Sequence, residues 1–342
     1  HILHAYIYIY THTHTHTTQM KIPRIYLGTM TFGWQQSSQV VDTSVATEML
    51  KAFHEAGHSY VDTARIYSSG SCESIMGAAV RQSKVLSFKF GSKAHPSQGS
   101  LSAACVEEQL TKSLAESALP SFDEYFLHSP DSETPLLESL VYLHSQVLNG
   151  KVKAIGLSNY HAAEVARAFE LCKEHSLTPP SVYQGLYNPL NRMVEDELLP
   201  VLRANNCRFV AYNPLAGGLL TGKHDLNTVP QGRFKDNPNY LGRFFTPANF
   251  EAVSEISKAC EEAGWQMVEA AYVWSLRHSS LTPDDGLLLG ASSAAQLSAN
   301  LAAVKRAEEE EAGLPEEVRA AFDKAYDKTR EGAFPYWRGY SA

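Results

Sequence analysis

"FDEYFLH" at residues 122–128 is a short apolar run that ends in a histidine; "PLLESLVYLHSQVLNG" (135–150) and "VKAIGLSN" (152–159) follow it. The middle segment has a proline at its start and a glycine at its end, which is typical of a helix. The outer segments are compact apolar runs, which is typical of parallel strands that are buried on both faces. Together they predict a strand–helix–strand unit of a parallel sheet.

The same alternation continues along the chain from Ile22 onward. Eight strands are predicted, at residues 25–33, 59–62, 85–93, 122–128, 152–159, 181–188, 207–215 and 286–292. The helices that follow them are predicted at residues 44–57, 72–82, 101–118, 135–150, 162–175, 196–206, 250–264 with 268–278, and 294–304. Repeated βα units in this number favour an α/β fold of the (β/α)8 TIM barrel type. A doubly wound open sheet is the alternative, and it is disfavoured because no GxGxxG follows any predicted strand.

We predict one barrel domain over residues 20–342. The segment 217–247 is rich in Gly, Asn and Pro and is interpreted as an insertion in the barrel rather than a domain boundary. A further helix (315–329) and an aromatic tail, "FPYWRGYSA" (334–342), close the chain.

The first 19 residues have a different character. "HILHAYIYIYTHTHTHTTQ" passes from Ile-Tyr repeats to Thr-His repeats, which a TA dinucleotide run followed by a CA run would encode. We interpret residues 1–19 as a non-native or disordered extension, with Met20 as the start. A histidine-rich metal tract and a strand with every histidine on one face are the alternatives. The segment lacks the basic region and the clean apolar region of a signal peptide.

Composition excludes several classes of function. The net charge of the 342 residues is −8, and no Lys/Arg run exceeds two, which disfavours nucleic acid as a partner. No apolar run approaches the length of a membrane span. The five cysteines are dispersed without a CxxC pair, which favours reduced thiols in the cytoplasm and predicts no metal site.

Polar residues lie where the predicted strands end. Asp62, Lys93 and His128 end strands two, three and four, and Tyr67 lies in the loop after strand two. Ser158–Asn159, Gln184 and Tyr212–Asn213 end strands five, six and seven. Because the carboxyl ends of barrel strands meet at one rim, we expect these side chains to converge there.

An Asp, a Tyr, a Lys and a His at one rim suggest proton transfer. A buried ammonium favours the phenolate, so Lys93 is expected to lower the pKa of Tyr67 towards the working range. Asp62 would keep Lys93 charged, and His128 would donate to a developing alkoxide or share the proton. Each residue also has a structural interpretation: a cap for Asp62, a loop aromatic for Tyr67, a solvated amine for Lys93 and a rim histidine for His128.

Several motifs occur in an order that resembles the aldo-keto reductases, most closely the aflatoxin-aldehyde and succinic-semialdehyde reductase branch. They are "VDTARIYSSGSCE" (61–73), "SKAHP" (92–96), "FLHSPD" (126–131), "AIGLSNY" (154–160), "AYNPLAGGLLTGK" (211–223) and "GASSAAQLSANLAA" (290–303). The resemblance implies reduction of aldehydes or ketones to alcohols with NADPH, with Asp62, Tyr67, Lys93 and His128 as the catalytic tetrad. A cofactor-sensing regulatory subunit on the same barrel is the alternative. A metal-dependent barrel hydrolase is disfavoured because no HxH ends the first strand.

The resemblance also implies where the cofactor binds. Ser158, Asn159 and Gln184 would hold the nicotinamide carboxamide, and Tyr212 would stack on its ring. The pyrophosphate would lie against the segment from Asn213 to Lys223, with Leu215, Gly217 and Leu219 among its residues. Gly290, Ser292, Ser293, Gln296 and Asn300 would hold the adenosine end. The loop at 290–300 has no cation for a 2′-phosphate, so NADPH rests on the likeness of this branch rather than on an arginine.

The substrate mouth is predicted from the same likeness. Met30 and Trp34 would line it; simple packing at the barrel rim is the alternative for Trp34. Arg243 in "YLGRFF" (240–245) would bind either a cofactor phosphate or a substrate carboxylate. Tyr336 and Trp337 would lie above the mouth. A small carbonyl compound is the expected partner, and a homodimer is consistent with the resemblance.

Overall fold

The computed structural model describes residues 21–35, 40–85, 87–228, 234–235 and 237–339. Eight parallel strands close into a barrel in the order β1 to β8, which confirms the predicted fold. The strands are β1 Arg24–Gly28, β2 Tyr60–Asp62, β3 Lys89–Ala94, β4 Glu124–Leu127, β5 Ile155–Ser158, β6 Val182–Leu186, β7 Arg208–Tyr212 and β8 Gly286–Gly290. Residues 1–20 lie outside the described residues, so the interpretation of the N-terminal extension is not addressed by the structure.

Helices surround the barrel. They are α1 Thr43–Glu55, α2 Ser71–Ser83, α3 Ala103–Ser117, α4 Leu136–Leu148, α5 Ala162–Glu174, α6 Leu198–Ala204, α7 Pro238–Phe244, α8 Pro247–Glu262, α9 Met267–Val273, α10 Ala294–Glu309 and α11 Glu316–Thr329. Among the described helices, none is both long and apolar enough to span a bilayer.

The strands are shorter than predicted, most clearly β1, where the chain leaves the barrel early. The first predicted strand, 25–33, ends at Gly28. Beyond it the hydroxyl of Thr29 donates to the carbonyl of Asp62 (3.0 Å), and the hydroxyl of Thr31 donates to the carbonyl of Ala291 (2.6 Å). These bonds fold residues 29–33 across the barrel mouth and so shape one wall of the site described below.

Two helical segments also differ from prediction. The segment 217–247 contains α7 and a 3-10 segment, Ala216–Thr221, in which Gly217 and Gly218 have φ values of 70° and 109°. The helix predicted at 268–278 continues beyond α9 as a π-helix, Trp274–His278. Neither difference changes the order of the strands, and both lie outside the barrel wall.

Candidate active site

Asp62 and Lys93 form a buried ion pair at the carboxyl end of the barrel. Asp62 ends β2, and Lys93 lies on the adjacent β3; both side chains are almost completely inaccessible to solvent. The Lys93 ammonium donates to Oδ1 of Asp62 and to the carbonyl of Thr63 (2.9 Å). Nε2 of Gln184 also donates to Oδ1 of Asp62, at 2.9 Å. The charge of Lys93 is therefore matched inside the barrel, as expected from the sequence.

Tyr67 begins the 3-10 turn Tyr67–Gly70 that follows β2, and the Nζ atom of Lys93 lies 5.8 Å from the centre of its ring. The predicted direction of its pKa is wrong. Burial, and then the negative charge of Asp62, raise the pKa of Tyr67 well above the ordinary value for a phenol. The ammonium of Lys93 is paired with Asp62, so its positive charge does not outweigh the effects of burial and of the Asp62 carboxylate. Tyr67 therefore keeps its proton at neutral pH.

His128 lies beside Tyr67, with ring centres 5.8 Å apart and ring planes at 80°. Burial and the nearby charge of Lys93 hold the pKa of His128 well below its ordinary value, so the ring is neutral at pH 7. Its Nδ1 is buried and has no hydrogen-bond partner among the described residues. The site therefore contains a protonated phenol next to a neutral imidazole.

An amide cluster lies next to this pair. Asn159 has a left-handed backbone (φ 62°). Its Nδ2 donates to the carbonyl of His128 (2.8 Å) and to the hydroxyl of Ser158 (3.0 Å). Its Oδ1 accepts the hydroxyl proton of Tyr212 at 2.8 Å. Asn159 therefore connects β4, β5 and β7, a connecting role that the sequence did not reveal.

A cavity of about 890 Å³ opens above these residues. The residues predicted for the site that line it are Met30, Trp34, Asp62, Tyr67, His128, Ser158, Asn159, Gln184, Tyr212, Asn213, Leu215, Gly217, Lys223, Arg243, Gly290, Ser292, Gln296 and Asn300. Among the predicted catalytic and cofactor-binding residues, Lys93, Leu219 and Ser293 do not line it. Lys93 lies beneath Asp62, and Leu219 is buried in the hydrophobic core.

Ser293 caps α10 instead. Its side chain accepts the backbone N–H of Gln296 at 3.2 Å. Oε1 of Gln296 accepts the backbone N–H and the hydroxyl of Ser292, at 2.8 and 2.9 Å. Nδ2 of Asn300 donates to the carbonyl of Gly290 at 3.1 Å. These polar groups keep the first turn of α10 in place at the end of the cavity, where its backbone N–H groups favour an anion.

The position predicted for the C-terminal aromatics is wrong: neither Tyr336 nor Trp337 lines the cavity, and Arg338 does. Tyr336 is buried, and its hydroxyl accepts the backbone N–H of Ala162 at 3.1 Å. The backbone N–H of Arg338 donates to the carbonyl of Asn159 at 2.9 Å. That bond brings the Arg338 side chain, rather than the aromatic rings, towards the cavity.

Two guanidinium groups enclose one ring at this side of the cavity. The Cζ atoms of Arg243 and Arg338 each lie 4.7 Å from the ring centre of Phe334. Among the described residues, neither arginine has a carboxylate partner, and Nε of Arg243 is buried without an acceptor. Arg243 was predicted at the site from the sequence, whereas Arg338, the last residue of "YWR" (336–338), was not.

Further lining residues were not predicted. They include Thr31, His95, Ser129, His224, Asn237, Tyr240, Phe245 and Tyr272. No single-sequence signal marks most of them, although His95 stands two residues after Lys93 in the quoted "SKAHP". Within the described part of the chain, no group of three or more His, Cys, Asp or Glu side chains is arranged to hold a metal ion.

The sequence model of the aldo/keto reductase family matches residues 24–319. The chain belongs to this family. The resemblance seen in the motifs is thereby confirmed, and the protein is an oxidoreductase of the aldo-keto reductase type. The family match spans every strand of the barrel and all the residues that line the cavity except Arg338.

Curated relatives cover nearly the whole reductase. An aflatoxin B1 aldehyde reductase member 2 from Mus musculus is 40% identical over 332 residues, which are 92% of this chain and 88% of that protein. A protein of the same name from Homo sapiens is 38% identical over 337 residues, covering 92% of this chain and 90% of that protein.

Solved structures show the same fold. An aldo/keto reductase from Klebsiella pneumoniae in complex with NADP and acetate superposes with a TM-score of 0.65 at 23% identity, covering 89% of this chain and 92% of that one. A second Klebsiella pneumoniae aldo-keto reductase, in complex with NADPH, gives a TM-score of 0.66 at 24% identity, covering 89% of this chain and 91% of that one.

Proposed function

We propose that this reductase converts aldehydes or ketones into alcohols, with hydride from NADPH and a proton from Tyr67. The observation that carries the proposal is the meeting of Tyr67, His128 and the Asp62–Lys93 pair at one end of the cavity. The names of the relatives, aldehyde reductases at 38 to 40% identity, and of the solved structures, which hold NADP or NADPH, support it.

The residues present fit a dinucleotide. Amide groups of Asn159 and Gln184 stand beside the acid–base groups, where a carboxamide would find donors and acceptors. Further along the cavity, Gly218 has φ 109°, and the nearest atom to a Cβ placed there would be Nε2 of His224, at 3.8 Å. A phosphate can approach the backbone closely at this position, with Lys223 lining the same cavity. The start of α10 would take the adenosine end.

Two residues of the tetrad contact the carbonyl oxygen in the proposed reaction. When bound, the cofactor supplies hydride to the carbonyl carbon. Tyr67 gives its hydroxyl proton to the oxygen as negative charge develops there. Its raised pKa means that the proton is present before the reaction begins. His128, neutral and beside Tyr67, orients the carbonyl oxygen through a hydrogen bond.

The Asp62–Lys93 pair would act when the proton leaves Tyr67. A phenolate on Tyr67 would lie near the ammonium of Lys93, whose Nζ atom is 5.8 Å from the ring centre. This positive charge would stabilise the phenolate more than purely apolar surroundings would. Asp62 holds that ammonium in position through a hydrogen bond, and Gln184 donates to the same carboxylate. The lowering of the Tyr67 pKa expected from the sequence would thus belong to the reacting state.

We propose that the preferred carbonyl compound also carries an acidic group. Arg243 and Arg338 line the same cavity without carboxylate partners among the described residues, and burial together with the Arg243 charge lowers the pKa of Arg338. Two adjacent guanidinium groups inside a cavity repel one another, and a carboxylate would relieve this. Met30 and Trp34 would form the apolar wall.

The decisive experiment is Tyr67→Phe, assayed by loss of NADPH absorbance with a panel of aldehydes. We expect cofactor affinity to be kept, whereas turnover falls by about two orders of magnitude or more. Tyr142→Phe, on the outer helix α4, is the matched control and should react normally. Equal turnover of the Tyr67 variant would refute the proposed proton donor. If the unaltered protein binds NADPH but reduces no carbonyl compound, a cofactor-sensing subunit is the better description.

We also propose a cytoplasmic protein that acts on small molecules and not on nucleic acid. All five cysteines are free thiols, which suits a reducing compartment, and the net charge of −8 disfavours a polyanion partner. A homodimer is proposed from the resemblance; Val141 and Leu148 on α4 are exposed apolar side chains that an interface would cover. Light scattering of the purified protein gives the assembly state directly.

A further inference from the structure

His95 lies at the mouth of the barrel, two residues after Lys93. It directly follows β3 and precedes the 3-10 turn Pro96–Gln98. Its side chain is partly exposed and lines the same cavity as Tyr67 and His128. The proposed reaction gives it no role so far.

His95 continues a row of rings that starts at the proton donor. The centres of the Tyr67 and His128 rings are 5.8 Å apart, and those of the His128 and His95 rings are 5.1 Å apart. Both contacts are edge-on, with ring planes at 80° and 89°. His128 therefore lies between the other two, and His95 is one ring further along the cavity wall than the group that would hold the carbonyl oxygen.

The hydrogen bonds of His95 determine its tautomer. Its Nδ1 accepts the backbone N–H of Ser97 at 3.0 Å, so this nitrogen carries no proton. Burial lowers the pKa of His95, and the neutral ring must then carry its proton on Nε2. Among the described residues, this Nε2–H has no acceptor. A donor is therefore available at the cavity wall, next to His128.

The backbone of His95 is held from a different element. Oε1 of Gln109 on α3 accepts the N–H of His95 at 2.8 Å, and Nε2 of Gln109 donates to the carbonyl of His95 at 3.2 Å. Gln109 is buried. Both main-chain groups of His95 are thus fixed by one side chain, which makes it a preorganised donor rather than a mobile loop residue.

We propose that His95 is a specificity-determining residue whose Nε2–H binds a second oxygen of the substrate, one or two bonds beyond the reacting carbonyl. The carbonyl oxygen lies at Tyr67 and His128 in the proposed function, on which this inference rests. A second acceptor oxygen on the neighbouring carbon then faces His95. A substrate without that oxygen leaves the Nε2–H unpaired, and such a mismatch lowers kcat/KM.

The test compares two aldehydes of equal size. Phenylglyoxal has an acceptor oxygen on the carbon next to its aldehyde, and phenylacetaldehyde has a methylene there. For His95→Phe we expect kcat/KM to fall roughly tenfold more for phenylglyoxal than for phenylacetaldehyde, which is the size expected for one lost hydrogen bond. Each substrate is compared with itself across variants, so the intrinsic reactivity of the two aldehydes cancels.

A second variant separates the donor from the shape of the ring. His95→Gln places an amide N–H near the position of Nε2 and should restore at least part of the preference for phenylglyoxal. His175→Asn is the matched control, because His175 is an exposed histidine that directly follows α5. It should leave kcat/KM unchanged for both aldehydes. NADPH affinity, measured by fluorescence, should be the same in all variants and confirms that each is folded.

Two results overturn the inference alone. If His95→Phe lowers kcat/KM equally for both aldehydes, His95 acts only through His128. If it lowers kcat/KM for neither aldehyde, His95 does not contact the substrate. Absence of turnover of any aldehyde by the unaltered protein would overturn the proposed function and this inference with it.

Discussion

The ammonium of Lys93 donates to the carboxylate of Asp62 between two adjacent strands, and both side chains are almost completely buried. A charge placed so deeply is costly unless its partner is present. The pair is therefore both a structural requirement of the barrel mouth and the source of the positive charge near Tyr67. These two roles are separable by experiment.

Removal of Lys93 should destabilise the fold as well as the reaction. Lys93→Met leaves Asp62 buried without its cation, and we expect the free energy of unfolding to fall by about 3–5 kcal/mol. Adding Asp62→Asn removes the unpaired charge, so the double variant should be more stable than Lys93→Met while remaining inactive. Urea unfolding gives the stability, and NADPH consumption gives the activity.

Lys89→Met is the matched control for this pair. Lys89 lies at the opposite end of β3 and is exposed, so its loss should cost less than about 1 kcal/mol. A double variant that is less stable than Lys93→Met would contradict the assignment of the cost to an unpaired carboxylate.

The low pKa of His128 makes stability depend on pH. Unfolded histidine has a pKa near 6.5, and the folded value lies well below it, so the unfolded state binds more protons between the two values. Stability contributed by the neutral ring is present above about pH 6.5 and is lost as the pH falls. We expect the unaltered protein to lose up to about 1.4 kcal/mol per pH unit more than His128→Gln over this range.

Denaturant unfolding at pH values from 8 to 5 measures this difference. Other histidines with lowered pKa, such as His58 and His278, are present in both proteins and cancel in the comparison. Parallel stability curves for the two proteins would show that His128 is not held neutral by the fold.

The bond between Tyr212 and Asn159 should affect cofactor binding. Tyr212→Phe keeps the ring but removes the hydroxyl that donates to Oδ1 of Asn159. Asn159 then loses one restraint, and we expect NADPH to bind several-fold more weakly, which corresponds to about 1 kcal/mol for one hydrogen bond. Fluorescence titration measures the Kd. Affinity equal to that of the unaltered protein would show that the hydroxyl does not organise the amide cluster.

The two arginines make a prediction about charge in the substrate. Arg338→Met should raise KM for 4-oxobutanoate by about tenfold or more and have little effect on butanal, because only the former has a carboxylate. Arg330→Met, on an exposed arginine at the end of α11, should change neither value. A similar change for both aldehydes would indicate that Arg338 packs against Phe334 without binding the substrate.

The sequence predicted those features that depend on local pattern. Short apolar runs separated by helical spacing are enough to define eight strands, and the strand ends then place Asp62, Lys93 and His128 on one rim. The closed barrel makes this inference strong, because residues at equivalent strand ends meet whatever the loops do.

Features that depend on long-range contacts were not predicted correctly. The predicted direction of the Tyr67 pKa was wrong because burial of the phenol, and then the negative charge of Asp62, raise that pKa, and both depend on the folded barrel. The predicted position of the C-terminal aromatics was wrong because two long-range hydrogen bonds set the path of the tail. Asn191 donates to the carbonyl of Phe334, and the backbone N–H of Arg338 donates to the carbonyl of Asn159. No pattern within the tail itself reports these partners.

The final prediction concerns the first 19 residues, which we propose are not part of the native barrel. Strand β1 begins at Arg24 and pairs on both sides with β2 and β8, so the barrel closes without any residue before it. A protein that begins at Met20 should therefore match the full chain in Tm, NADPH affinity and kcat/KM. Differential scanning calorimetry and the aldehyde assay test this directly. A fall in Tm of several degrees on deletion would mean that the extension packs on the barrel, and a metal-dependent difference in Tm between the two proteins would favour the histidine tract instead.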